Sequence, residues 1–185
     1  MHTPITADKS ELFRLLKAQA FSKGKFILSS GKESDFYLDA RLVTLSAAGA
    51  FLTARIMLDM IAQDRPDAIG GPTLGADPMV GAIASLSHQA GRPINTFIIR
   101  KTPKAHGKQQ QVEGPRLEEG GSVVIIDDVA TTGKAFVESI EVLQKMNIKI
   151  KKAICVIDRG EGAFEALAKY KVPLESIFTL AEFLK

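Results

Sequence analysis

Two neighbouring carboxylates, Asp127 and Asp128, follow the β-branched run Val123-Val124-Ile125-Ile126 and precede Thr131-Thr132-Gly133. The apolar run reads as a strand buried on both faces, which the two acids end. The Thr-Thr-Gly turn then opens a helix. Such a turn aims free backbone N–H groups and two hydroxyls at one point, where the helix dipole favours an anion. The carboxylates beside it repel a phosphate but suit sugar hydroxyls or a magnesium ion held through water. Phosphate, diol and metal gathered by one loop describe a ribose-phosphate site. As a solvated acidic turn the segment makes less sense, since two acids with nothing to bind repel each other.

Three further segments carry chemistry. Residues 100–114 form a loop without apolar periodicity, bounded by Pro103 and Gly114-Pro115. It holds Arg100, Lys101, Lys104, His106 and Lys108 against Glu113 alone. The length and charge suggest a lid that excludes water from a local polyanion. In Asp158-Arg159-Gly160-Glu161-Gly162, Arg159 suits a planar carboxylate, or else pairs with Asp158 or Glu161. Phe36-Tyr37 could stack on a flat ring or simply fill a core.

Several chemistries are excluded. A Walker A loop needs a first glycine where Asp128 stands and Ser or Thr where Ala135 stands; Gly70-Gly71-Pro72-Thr73-Leu74-Gly75 is not a dinucleotide fingerprint. His2 and His88 have no partner at zinc-ligand spacing, and no Ser or Cys sits in a nucleophile elbow. Lys145, Lys149, Lys151 and Lys152 read as a solvated face. The lone Cys155, inside an apolar run, reads as a core residue in a reduced compartment.

The elements around these residues alternate. Residues 68–70, 94–99, 123–126, 153–157 and 177–179 read as strands, and 77–89, 134–146 and 162–169 as the helices between and after them. That rhythm implies right-handed βαβ units: an α/β fold with a mostly parallel central sheet flanked by helices and ligands at the strands' carboxyl ends. Before it, residues 9–21 read as a helix capped by Thr6 or Asp8. Short strands at 26–28 and 36–39 flank a turn, and a helix spans 47–62. With 185 residues, 45% of them hydrophobic, one domain is expected, with residues 1–45 as an N-terminal cap and 46–185 as the core. A formal charge of +3 is too small for a nucleic-acid coat. Neither a secretory signal nor an apolar run of membrane-spanning length is visible, so a cytoplasmic protein without membrane or nucleic-acid partners is expected.

In order and spacing these segments resemble the type I phosphoribosyltransferase family along nearly the whole chain. Residues 125–135 are similar to its phosphoribosyl-diphosphate (PRPP) motif. Ser30-Gly31 through Ser34 with Phe36-Tyr37, the Arg100–Gly107 lid and the 158–162 segment resemble the branch that acts on orotate. The resemblance implies transfer of ribose 5-phosphate from PRPP to orotate, with Mg²⁺ as cofactor. Asp127 and Asp128 would hold the ribose hydroxyls and water-mediated Mg²⁺, and Asp128 is counted with the catalytic groups. Val129, Ala130, Thr131, Thr132, Gly133, Lys134 and Ala135 would cradle the 5′-phosphate. Lys101, Lys104 and His106 would serve diphosphate and catalysis, with Arg100 reaching a neighbouring subunit of a homodimer that shares lid residues. Arg159, Phe36, Tyr37 and Thr131 would hold orotate.

Two departures stand out. Relatives carry a lysine in the loop that is Gly71-Pro72-Thr73-Leu74-Gly75-Ala76-Asp77 here, and another where Ser29 stands. Backbone N–H groups or the Thr73 hydroxyl would replace the first, Lys25 or Arg41 the second. The alternatives are a phosphoribosyltransferase for another base, a PRPP-sensing regulator of the same fold (though no helix-turn-helix segment is visible), and a signalling receiver. A receiver carries its acid pair after the first strand rather than a late one.

Overall fold

The computed structural model describes residues 4–27, 33–102 and 111–185. Its centre is a six-stranded sheet in the order β5-β4-β3-β6-β7-β8. These strands are β3 (Ala68–Pro72), β4 (Asn95–Ile99), β5 (Val112–Glu113), β6 (Ser122–Ala130), β7 (Lys149–Asp158) and β8 (Leu174–Thr179). All neighbours run parallel except β5, which lies antiparallel on β4. The crossovers are α4 (Asp77–Gln89), α5 (Lys134–Lys145) and α6 (Ala163–Ala168). From β3 the chain winds outward to β4, and from β6 it winds the opposite way to β7 and β8. The switch point, where parallel sheets open a crevice, therefore lies between the ends of β3 and β6.

Alternation along the strands divides the core in two. Val124, Ile126, Ile154 and Val156 face a cluster with α1 (Ile5–Leu15), α3 (Ala47–Met60) and α4. Val123, Ile125, Ala153 and Cys155 face α5 and α6 through Phe136, Ile140, Leu143 and Leu167. Cys155 is thus a core residue, and burial pushes its thiol up and keeps it inert.

The acids do not end their strand as the sequence suggested. β6 runs on to Ala130, because the ladder to β7 continues: Asp127 pairs with Cys155, Val129 with Ile157 and Ala130 with Asp158. At the amino terminus neither Thr6 nor Asp8 caps α1; Pro4 takes that place. Asp8 is buried inside the first turn and meets Arg55 of α3 at 3.2 Å. The helix expected over 9–21 begins earlier, at Ile5, continues from Leu15 into a π segment over Leu16–Ala20, and stops before Phe21, which already begins β1 (Phe21–Ile27). β1 pairs antiparallel with β2 (Glu33–Leu38), and the short α2 (Arg41–Thr44) follows. Leu12 and Leu16 are fully buried in the same cluster as Val124 and Ile154. Three short elements escaped the sequence reading: α2, β5 and α7 (Leu180–Leu184). Among the described residues, no helix is long and apolar enough to cross a membrane.

Candidate active site

β6 delivers Asp127 and Asp128 to the switch point. Each acid accepts a backbone N–H: Asp128 N–H donates to Asp127 Oδ1 at 2.9 Å, and Val129 N–H to Asp128 Oδ1 at 2.8 Å. These bonds do not offset the surroundings. Burial, then the neighbouring Asp128 charge, holds Asp127 well above the usual carboxylate range. Burial also raises Asp128, against the pull of the Val129 N–H and the Arg41 guanidinium. A third acid stands close by: Asp77, raised by burial, has an Oδ1 with no hydrogen-bond partner among the described residues.

The loop after β3 lies directly on this pair. A Cβ at residue 75 would stand 1.9 Å from Asp127 Oδ1 and 2.6 Å from Asp128 Oδ1, so only glycine admits the acids there. This is a role that failed fingerprint matching could not expose, and Gly75 belongs to the site. A cavity of about 430 Å³ opens at the same place. Asp127, Asp128, Thr73, Gly75, Ala135, Arg100 and Lys101 all line it. It therefore joins the acid pair, the β3 loop and the first two residues of the basic segment. Thr131, Arg159 and Phe36 lie outside its lining.

Beyond β6, Gly133 takes a left-handed φ of 79° and caps α5 without a side-chain hydrogen bond. No side chain caps the first N–H groups of this twelve-residue helix. The Lys134 side chain is exposed and lies 3.8 Å from Glu138.

The basic segment is anchored rather than free at its base. Arg100 N–H donates to the Gln111 carbonyl, Gln111 Nε2 donates to the Arg100 carbonyl, and the Arg100 guanidinium lies 3.6 Å from Glu113. Lys104 and His106 lie outside the described residues, as do Ser29, Ser30 and Gly31.

On the other side of the site, β2 separates the Phe36-Tyr37 pair, because adjacent strand residues point to opposite faces. Phe36 stacks on Phe21 and lies under the Arg159 guanidinium, 5.3 Å from ring centroid to Cζ. Tyr37 instead packs on Phe26 and is 43% exposed. Arg159 also has the partner that the simpler reading gave it, Glu161 at 2.7 Å.

The sequence offers Arg41, with Lys25, as a substitute for the lysine missing at Ser29. The Arg41 guanidinium forks onto both oxygens of Asp39, at 2.9 and 3.0 Å, and reaches within 4.0 Å of Asp128 Oδ2. No periodicity signals that contact, because α2 is one turn long.

The four basic residues at 145–152 do not form a uniform solvated face. Lys152 is buried, 2.7 Å from Asp64 and 3.0 Å from Glu175, and donates to the Met60 carbonyl. Alternation along β7 puts it on the face of Ile154 and Val156, towards α3.

Residues 43–183 match the family described as Phosphoribosyl transferase domain. The orotate phosphoribosyltransferase of a Nostoc species is 38% identical over 183 residues, covering 97% of this chain and 88% of that protein. The crystal structure of orotate phosphoribosyltransferase from Mycobacterium tuberculosis H37Rv superposes with a TM-score of 0.84 at 35% identity, covering 95% of this chain and 98% of that one. The same enzyme in complex with 5-phospho-alpha-D-ribosyl 1-diphosphate gives 0.80 at 30% identity, covering 96% and 99%. With the switch-point acids and the open helix terminus, these likenesses place the chain in the phosphoribosyltransferase family, among the orotate phosphoribosyltransferases.

Proposed function

We propose that this chain transfers ribose 5-phosphate from PRPP to N1 of orotate, releasing orotidine 5′-monophosphate and diphosphate. The observation that carries the reading is the meeting, at one switch point, of a raised acid pair with a helix terminus that no side chain caps. The acids take the ribose 2′- and 3′-hydroxyls, and residues 131–135 take the 5′-phosphate through backbone N–H groups. Thr131 lies between phosphate and base. The C1′–O bond breaks, the C1′–N1 bond forms, and the positive charge that develops on the ribose resembles that of glycoside cleavage. N1 of orotate is acidic, so no protein nucleophile is needed. The protein's part is to position both substrates and to meet the charge of the departing diphosphate. Arg100, Lys101, Lys104 and His106 serve that charge. Arg159 takes the orotate carboxylate, and Phe36 faces the pyrimidine, with Tyr37 at the outer edge of the same hairpin.

Asp127 and Asp128 are hard oxygen donors, and among the described residues no three acids, histidines or cysteines cluster as direct metal ligands, so the pair fits magnesium held largely through water. The ion, when bound, would neutralise diphosphate oxygens. A homodimer in which Arg100 and its neighbours serve the partner's site belongs to the same reading, as does a reduced cytoplasmic setting.

Purified protein with PRPP and Mg²⁺ should be offered orotate, uracil, adenine and hypoxanthine in turn. Consumption of orotate alone, with equimolar orotidine monophosphate and diphosphate, is expected. Equal use of uracil or a purine would overturn the assignment.

A further inference from the structure

The end of β7 holds a second charge arrangement, which orotate must rearrange if Arg159 binds its carboxylate. Arg159 is fixed at the backbone, its N–H donating to the Ala130 carbonyl at 2.9 Å. Gly160 N–H returns to Asp158 Oδ1 at 2.9 Å, a tight turn that folds Glu161 back over the arginine. There Glu161 Oε1 meets Arg159 Nη2 at 2.7 Å. The contact uses one edge of the fork only. Arg159 Nε is buried and has no hydrogen-bond partner among the described residues.

The two partners differ in exposure. The Arg159 side chain is 13% exposed and that of Glu161 42%. Withdrawing the acid into water costs little, whereas leaving the cation unpaired beside Phe36 costs much more. A planar carboxylate arriving in the ring plane can engage Nε and Nη2 together, satisfying the orphaned donor that Glu161 leaves. An incoming carboxylate therefore outcompetes the resident one, while a base without a carboxylate offers Arg159 nothing in exchange.

We propose that Glu161 is a built-in competitor for the orotate carboxylate, holding Arg159 until the substrate displaces it. It thereby loosens orotate binding and keeps stray small anions off the half-buried guanidinium. This rests on the assignment of Arg159 to the orotate carboxylate.

The test compares wild type, Glu161→Gln and Arg159→Ala at saturating PRPP and Mg²⁺. Glu161→Gln should lower the orotate KM by about two- to fivefold, the scale of one partly exposed ion pair. The PRPP KM should stay unmoved, and inhibition by added formate, competitive with orotate, should strengthen. A raised or unchanged orotate KM at an unaltered melting temperature would overturn the inference, making Glu161 a support for Arg159 or a bystander. Glu161→Asp serves as a second variant, too short to reach Nη2, and should move KM in the same direction as Gln. The underlying assignment fails separately, if wild type does not use orotate or Arg159→Ala leaves the orotate KM unchanged.

Discussion

Two buried charge clusters lie on adjacent strands of the same sheet, and they are built on opposite terms. At the carboxyl end of β6, Asp127 and Asp128 stand beside Asp77, and among the described residues the cation in ion-pair range of them is Arg41, at 4.0 Å from Asp128. On the inward-turned part of β7, Lys152 is matched by Asp64, Glu175 and the Met60 carbonyl. Burial pulls the Lys152 ammonium down, yet its two acids outweigh that and raise it above the ordinary range. The acid pair is left paying the desolvation of its ionised form. A buried cluster whose charges are answered within the chain holds the fold, and one whose charges are not is waiting for a ligand.

The largest expected effect comes from removing the unanswered charge. The double variant Asp127→Asn/Asp128→Asn should lose about 10³-fold in kcat/KM for PRPP, since hydrogen bonds from charged groups contribute about 1.5–3 kcal/mol each. Its apo form should nonetheless melt about 2–4 °C higher than wild type. Both acids bind protons more tightly folded than unfolded, because their folded values are raised. Their cost is therefore absent below the ordinary carboxylate range and grows as pH rises through it towards those raised values. Measured by calorimetry without Mg²⁺, the Asn variant's advantage should be larger at about pH 7.5 than at about pH 4.5. A variant that melts lower at both would break the comparison, because the acids would then be structural.

Gly75→Ala probes the same cluster by shape. The new Cβ falls 1.9 Å from Asp127 Oδ1, so loop or acid must shift. A loss of about 10²-fold in kcat/KM for PRPP is expected, the scale for misplacing a reacting group by an ångström. Normal PRPP kinetics would show that the loop and the acids need not touch. Arg159→Ala acts on the base side. It should raise the orotate KM about ten- to thirtyfold, as loss of a charged hydrogen-bonding group does, and leave the PRPP KM within about twofold.

What could be read from the chain follows the reach of each signal. The α4 span of 77–89 was legible to the residue, because Asp77-Pro78 marks a helix start and apolar spacing carries it onward. The acid pair and the uncapped turn were legible because their chemistry is contiguous along the chain. The contact of Arg41 with Asp128 spans 87 positions, and that of Phe36 with Arg159 spans 123; only the fold brings these pairs together. Lys152 misled for another reason. In Lys149-Ile150-Lys151-Lys152 strict alternation puts Ile150 and Lys152 on one face, but the adjacent basic residues suggested a solvated patch.

The smallest kinetic effect, and the sharpest contrast, belongs to Lys152→Met. Methionine keeps much of the volume but leaves Asp64 and Glu175 without their cation. Both acids are partly exposed, at 29% and 43%, so water recovers some of the loss. The cost should be about 1–3 kcal/mol, less than for a fully enclosed pair, and should appear as a melting temperature about 3–10 °C lower. Because the folded Lys152 value is raised, its contribution is complete at all pH values below the ordinary lysine range and is lost only as pH rises through the folded value. Between about pH 4.5 and about pH 7.5 the deficit should therefore change far less than the Asn variant's gain, and both KM values should stay within about twofold of wild type. A change in PRPP kinetics without a loss of stability would mean that charge balance does not separate the supporting end of this sheet from its reactive end.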